Sequence, residues 1–221
     1  MSDAAQDDDH LPSTLDDSIS DLLGLLGYIS LASFGRTAAD CDLAPTLATK
    51  ATLAGLAAGS YSQYERLVGL LRVRNADPEE RMTPFVPAVD AFHARTRPHD
   101  WLEGALKAYI GAGMAIDFRS QARAAPGAQA ALAGLERTST LVPALAEQLQ
   151  NSLSADITLT GRLSLWGRRV LGEALSQAQR VATDRADLAE LVAGGSLATG
   201  QLLVRLTEGY SERVQALGLT P

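Results

Sequence analysis

The feature that most constrains this chain is a period. Leu15, Ile19, Leu22, Leu23 and Leu26 recur at the spacing that gathers apolar side chains on one face of a helix. Leu159, Leu163, Trp166 and Val170 repeat the pattern, and no strand-length run alternates apolar and polar residues. Alanine and leucine dominate the apolar set and aromatics are only 5%, so helix formers prevail over residues that favour strands. The fold class this dictates is all-α.

Punctuation divides the helices. Residues 1–12 read as a disordered acidic tail, and residues 13–221 as a single helical domain. Ser13-Thr14-Leu15-Asp16 is a capping-box variant opening a helix that should reach Asp42. Pro45 starts a second helix, expected to end near Arg74. Asp77-Pro78-Glu79-Glu80 supplies a capping acid, a first-turn proline and acids at the positive helix end. Thr83-Pro84 and Val86-Pro87 then interrupt, which predicts a short helix over 81–97 within a long crossover.

Pro98-His99-Asp100 opens the fourth helix. Trp101, Leu102, Ala105, Leu106, Tyr109, Ile110 and Ile116 make it apolar on most sides, so it should be central and buried. A fifth runs from Pro126 to Ser152, with Pro143 predicting a kink or break over 138–141. A sixth covers 157–183, and Gly194-Gly195-Ser196 separates a short helix from a last one over 197–217. Two long helices, a crossover, two more helices and additional C-terminal helices fit a four-helix bundle with one long connection, the ferritin-like layout.

The formal charge is -7, from 19 basic and 26 acidic residues. Such a chain attracts no polyanion through its overall field, which disfavours nucleic acid as a partner. Arg162, Arg168, Arg169 and Arg180 form one local basic stripe, read first as a solvated face and second as an RNA contact. The single cysteine, Cys41, allows no disulfide or cysteine-based zinc site within one chain, and no adjacent cation activates it. The acidic start is unlike a signal peptide, and the apolar stretch 22–34 is too short and too rich in Gly and Ser to span a bilayer. A cytoplasmic setting without membrane partners is the expectation, with homodimerisation through the extra apolar helices.

Several segments resemble actinobacterial ferritin-like proteins related to the MiaE-type tRNA hydroxylases. They are Ala39-Asp40-Cys41-Asp42-Leu43-Ala44-Pro45-Thr46-Leu47, Tyr64-Glu65-Arg66-Leu67, Pro84-Phe85-Val86-Pro87, Asp90-Ala91-Phe92-His93, Asp100-Trp101-Leu102-Glu103-Gly104, Leu165-Trp166-Gly167-Arg168-Arg169 and the run 172–180. The resemblance implies a ferritin-like bundle, an iron cofactor, and hydroxylation of modified tRNA or a small molecule. A di-iron bundle needs one Glu from each of two helices and a Glu-x-x-His pair from each of the other two. Here no Glu is followed three residues later by His. Aligned to the family, the first Glu falls on Ser30, the first Glu-x-x-His on 60–63 with Ser60 and Gln63 at its ends, the third-helix acid on Ala112, and the final pair near Arg137 and Thr140. The expectation is therefore a bundle without catalytic residues or metal ligands, whose former metal positions form a neutral core or a small polar pocket. Its partner would be an unidentified protein or small ligand, and the alternative is a retained iron hydroxylase.

Four other features have everyday readings. Asp90 and His93 have metal-ligand spacing but read as a hydrogen-bonded pair pinning the crossover. Glu103 and Lys107, one turn apart, read as an ion pair, and so do Arg169 and Glu173. Asp117, near Tyr109 and Phe118, reads as a structural carboxylate.

Overall fold

The structure, a computed structural model, describes residues 13–122, 127–133, 135, 141–193 and 196–221. The expected acidic tail lies outside them. Helix α1 spans Ser13–Asp40 and runs into a 3-10 turn, Cys41–Leu43. Helix α2, Leu47–Val73, begins where the Thr46 hydroxyl accepts the Thr49 N–H at 3.1 Å. The two lie antiparallel. Asp16 at the start of α1 pairs with Arg74 just beyond α2, and further along Phe34 meets Tyr61 with ring centroids 5.1 Å apart.

The crossover holds two helices where one is predicted. Helix α3, Pro78–Met82, is capped by Asp77, which accepts the Glu80 N–H at 2.9 Å. A 3-10 turn, Thr83–Phe85, joins it to α4, Val86–Arg95. Each proline of the region sits in the first turn of its own piece, where its missing N–H leaves no bond unmade. The crossover presses on α1 at Gly24. A Cβ there would stand 2.3 Å from the Arg81 carbonyl oxygen, so only glycine allows this approach. Arg81 also binds Asp17 at 2.6 Å and Asp21 at 3.1 Å, and Asp21 takes Arg185 on its other oxygen.

Helix α5, Trp101–Ala122, is central as predicted, with residues 102–107 buried consecutively. Asp100 caps it by accepting the Glu103 N–H at 2.9 Å. The expected fifth helix over 126–152 is instead two, α6 (Ala128–Ala131) and α7 (Leu141–Ala155). Pro143 falls in the first turn of α7, where it is tolerated, and residues 138–140 of the predicted kink or break lie outside the described residues. Helices α8 (Leu159–Asp184), α9 (Ala186–Ala193) and α10 (Ser196–Ala216) complete the chain, and no strand occurs among the described residues.

The core has two halves. Leu53, Leu106, Ile110, Leu145, Leu163, Trp166 and Tyr210 join α2, α5, α7, α8 and α10. Ile19, Leu22, Leu23, Leu67, Leu71, Phe85 and Leu188 join α1, the far half of α2, the crossover and α9. Contrary to the sequence expectation, the segment Leu15–Leu43 is long and apolar enough to cross a membrane by length and composition alone. The helix extends well beyond the apolar core of its sequence, and more than half of its most apolar stretch is buried inside the bundle.

Candidate functional site

The positions that the sequence resemblance aligns with metal ligands come first. Ser30, on α1, is buried, and its hydroxyl donates to the Leu26 carbonyl at 2.8 Å. Ser60, half-buried on α2, donates to the Leu56 carbonyl at 3.2 Å. Both hydroxyl protons thus close onto their own helices. Gln63 and Ala112 are half-buried on α2 and α5, while Arg137 and Thr140 lie outside the described residues. Around Ser30 the α1–α2 interface is hydrocarbon and aromatic, with Gly27 facing Met82 and Leu67, and Phe34 against Tyr61, which in turn meets Tyr64. Beside Ala112, Gly113 is covered by the Arg213 side chain, which reaches from α10 to pair with Asp117. Among the described residues no group of three or more His, Cys, Asp or Glu side chains is placed to hold a metal. Hydroxyls, an amide and a methyl do not neutralise two hard cations, so these residues do not fit a di-iron centre.

A second polar region runs between α1, α4 and α5. Tyr28 donates to Asp90 at 2.9 Å, so Asp90 does not pair with His93 as the sequence predicts. His93 is only 7% exposed, and its Nδ1 is buried without a hydrogen-bond partner. Lys107, equally buried, donates to the Thr96 carbonyl at the end of α4 at 2.8 Å and lies 5.3 Å from the Phe92 ring centroid. It does not reach Glu103. Asp40 is half-buried, its carboxylate resting over Gly104, where a Cβ would stand 3.4 Å from Oδ2. Among the described residues, that carboxylate makes no hydrogen bond or ion pair.

These groups perturb one another. Burial pushes His93 down to about 3, with the Lys107 and Arg36 charges adding to the effect, so its imidazole is neutral. Burial also lowers Lys107 to about 8, opposed by Asp40 and reinforced by Arg36. Asp40 is raised by burial against the pull of Lys107 and Arg36. The seam therefore contains an amine and a carboxyl whose burial disfavours their charged forms.

Glu103 and Glu173 are held by partners from other helices. Glu103 receives the His99 N–H at 2.9 Å and Arg162 at 3.1 Å, and its carbonyl accepts the Trp166 indole N–H at 2.9 Å. Glu173 takes Arg95 at 2.9 Å and Gln177 at 2.7 Å, while Arg169, its predicted partner, donates to the Arg95 carbonyl at 3.1 Å. In both cases a partner from another helix takes the place of the neighbour one turn away. The arginines of the basic stripe are also tied down. Arg162 holds Asp100 and Glu103, Arg168 the carbonyls of Thr220 and Pro221, Arg169 that of Arg95, and Arg180 lies 3.7 Å from Asp184.

Sequence reasoning named His93 and Lys107 but missed the seam they share with Asp40. The available signal was a lysine placed within a helix apolar on most sides, in a chain with only two lysines. No curated relative matches this chain. A family model described as "Ferritin-like domain, actinomycetes" matches residues 13–195. That span runs from the start of α1 to just past α9, taking in both long helices, the crossover and the central α5. The chain thus belongs to the actinomycete ferritin-like domain family.

Proposed function

We propose that this ferritin-like protein is a non-catalytic binding or interaction module that lacks a di-iron centre. The observation that carries the reading is the state of Ser30 and Ser60. Both stand where the family alignment places metal ligands, and both close their hydroxyls onto their own helix backbones. A bundle using that interior for oxygen chemistry needs carboxylates there, held ready for cations. The arginines of α8 favour the same reading over an RNA hydroxylase, because each already has a partner within the chain. Self-association belongs to this reading too, through faces such as that of exposed Leu165 and Val204.

Elemental analysis for iron, manganese and zinc tests it, on protein as purified and again after anaerobic Fe(II) loading and desalting. Metal well below one equivalent per chain is expected in both. One or two tightly held metals per chain would overturn the reading and put a MiaE-like hydroxylase in its place.

A further inference from the structure

We propose that the outer face of α2 is an interface between two copies of this chain, packed antiparallel about a two-fold axis at the middle of the helix. The inference rests on the interaction-module reading and names its surface and its partner. The first observation is where the exposed apolar side chains lie. Of the seven large hydrophobic side chains exposed among the described residues, Leu47, Tyr61 and Val73 stand on α2, and Leu43 on the turn before it. Leu47 is 86% exposed and Val73 82%. Helical spacing puts Leu47, Tyr61 and Val73 on one side of α2, opposite the buried Leu53, Leu67 and Leu71. Such a concentration on one element marks a surface that meets something other than water.

No charge interrupts the middle of that side. Residues 51–64 contain no Asp, Glu, Lys, Arg or His. Ala51, Ala54, Ala58 and Ser62 are exposed along its centre. A solvated helix face ordinarily carries charged residues. Gly69 continues the line, and a Cβ there would meet nothing within 4 Å. Small side chains along one face let a second helix come close.

The charges that flank the neutral stretch select a second copy as the occupant. At the N-terminal end Asp42 and Lys50 form a largely exposed pair at 3.0 Å. At the other end Glu65 and Arg72 are exposed, and among the described residues their side chains make no ion pair or hydrogen bond. Arg66 stands to the side of this line. A two-fold axis at the level of Ser60, midway between Leu47 and Val73, sets Leu47 of one copy level with Val73 of the other. Ala51 then comes level with Gly69, and Ala58 with Ser62. The same register brings Arg72 level with Ala48, beside the Asp42–Lys50 pair, and Glu65 level with Gly55, on the far side of Lys50. Neighbours of opposite sign are then Arg72 with Asp42 and Glu65 with Lys50, and the symmetry makes each pair twice. A parallel pairing would instead set Lys50 against Lys50 and Arg72 against Arg72.

Sedimentation equilibrium on the full chain should give twice the mass of one chain at micromolar concentration. Ala58→Arg, at an exposed position next to the axis, should leave monomer with an unchanged circular dichroism spectrum. Arg72→Asp should weaken the dimer about tenfold, because two ion pairs become like-charge contacts with Asp42. Adding Asp42→Arg should recover most of that loss. Cysteines read the direction of packing. Leu47 and Val73 lie about 39 Å apart along one helix, too far to join within a chain. Leu47→Cys mixed with Val73→Cys should therefore give a disulfide between copies, and neither variant alone should, with the unaltered chain as the control for buried Cys41. A monomer at every concentration, no recovery from Asp42→Arg, or disulfides in either variant alone would overturn the proposal. A dimer unmoved by Ala58→Arg would overturn it too, and would place self-association on a face such as that of Leu165 and Val204. None of these readouts involves metal, so their failure leaves the binding-module reading standing.

Discussion

Helix α1 borders two polar regions that end in opposite conditions. Around Ser30 its hydroxyl is closed by its own backbone, and the neighbours are hydrocarbon and aromatic rings. A few turns later, near Asp40, the buried Lys107 amine makes one hydrogen bond and the buried His93 Nδ1 makes none. The lesson is that polar residues in an interior are not equivalent. A serine that bonds its own helix adds little to the interface and binds nothing else, whereas a lysine and a histidine left partly unmatched are costly and available.

The largest effect should come from removing Lys107. Lys107→Ala leaves a cavity and an unpaired Thr96 carbonyl, so urea unfolding should show a loss of about 2–4 kcal/mol. Lys107→Met should recover most of it, since it fills the volume without a buried charge. Equal losses in the two variants would mean that the charge itself holds the seam together.

Acid should come next. His93 is depressed from 6.5 to about 3, chiefly by burial and then by Lys107 and Arg36. The unfolded chain binds more protons across that interval. The stability from keeping the imidazole neutral is therefore intact above pH 6.5 and is lost as pH falls toward 3. The slope should be at most about 1.4 kcal/mol per pH unit. Unfolding curves over that range should be flatter for His93→Leu. Identical slopes would place the acid sensitivity elsewhere.

Tyr28→Phe deletes one hydrogen bond to Asp90 at the edge of the seam and should cost about 1 kcal/mol. The smallest effects belong to the other region. Ser30→Ala and Ser60→Ala should each change stability by less than about 0.5 kcal/mol, because only a bond to the same helix is lost. A larger cost at either serine would erase the contrast and point to a working pocket there.

The sequence made the helical class and most helix starts legible, because caps and first-turn prolines act locally. Asp77 and Asp100 cap where their neighbours suggest, while α2 is capped by Thr46 and so begins two residues after Pro45. The prolines of the crossover were read as interruptions around one short helix, whereas Pro84 and Pro87 each stand in the first turn of a separate piece. Side-chain pairing was much less legible. Spacing along one helix suggested Glu103 with Lys107 and Arg169 with Glu173, yet Arg162 and Arg95 supply those contacts from other helices. Such choices depend on how helices dock, which local spacing does not encode. The seam stayed hidden for the same reason: Asp40, His93 and Lys107 come from three helices and share no motif.

The clasp at the start of α1 has a consequence in time. Asp21 is held by Arg81 from 60 residues away and by Arg185 from 164 residues away. The nearer contact closes a modest loop, while the farther one waits until nearly the whole chain has folded back on itself. An interaction made that late is absent from the barrier crossing, so it slows escape from the native state without hastening arrival. Arg185→Gln should therefore raise the unfolding rate and leave the folding rate almost untouched. The distant arginine governs how long a folded molecule lasts.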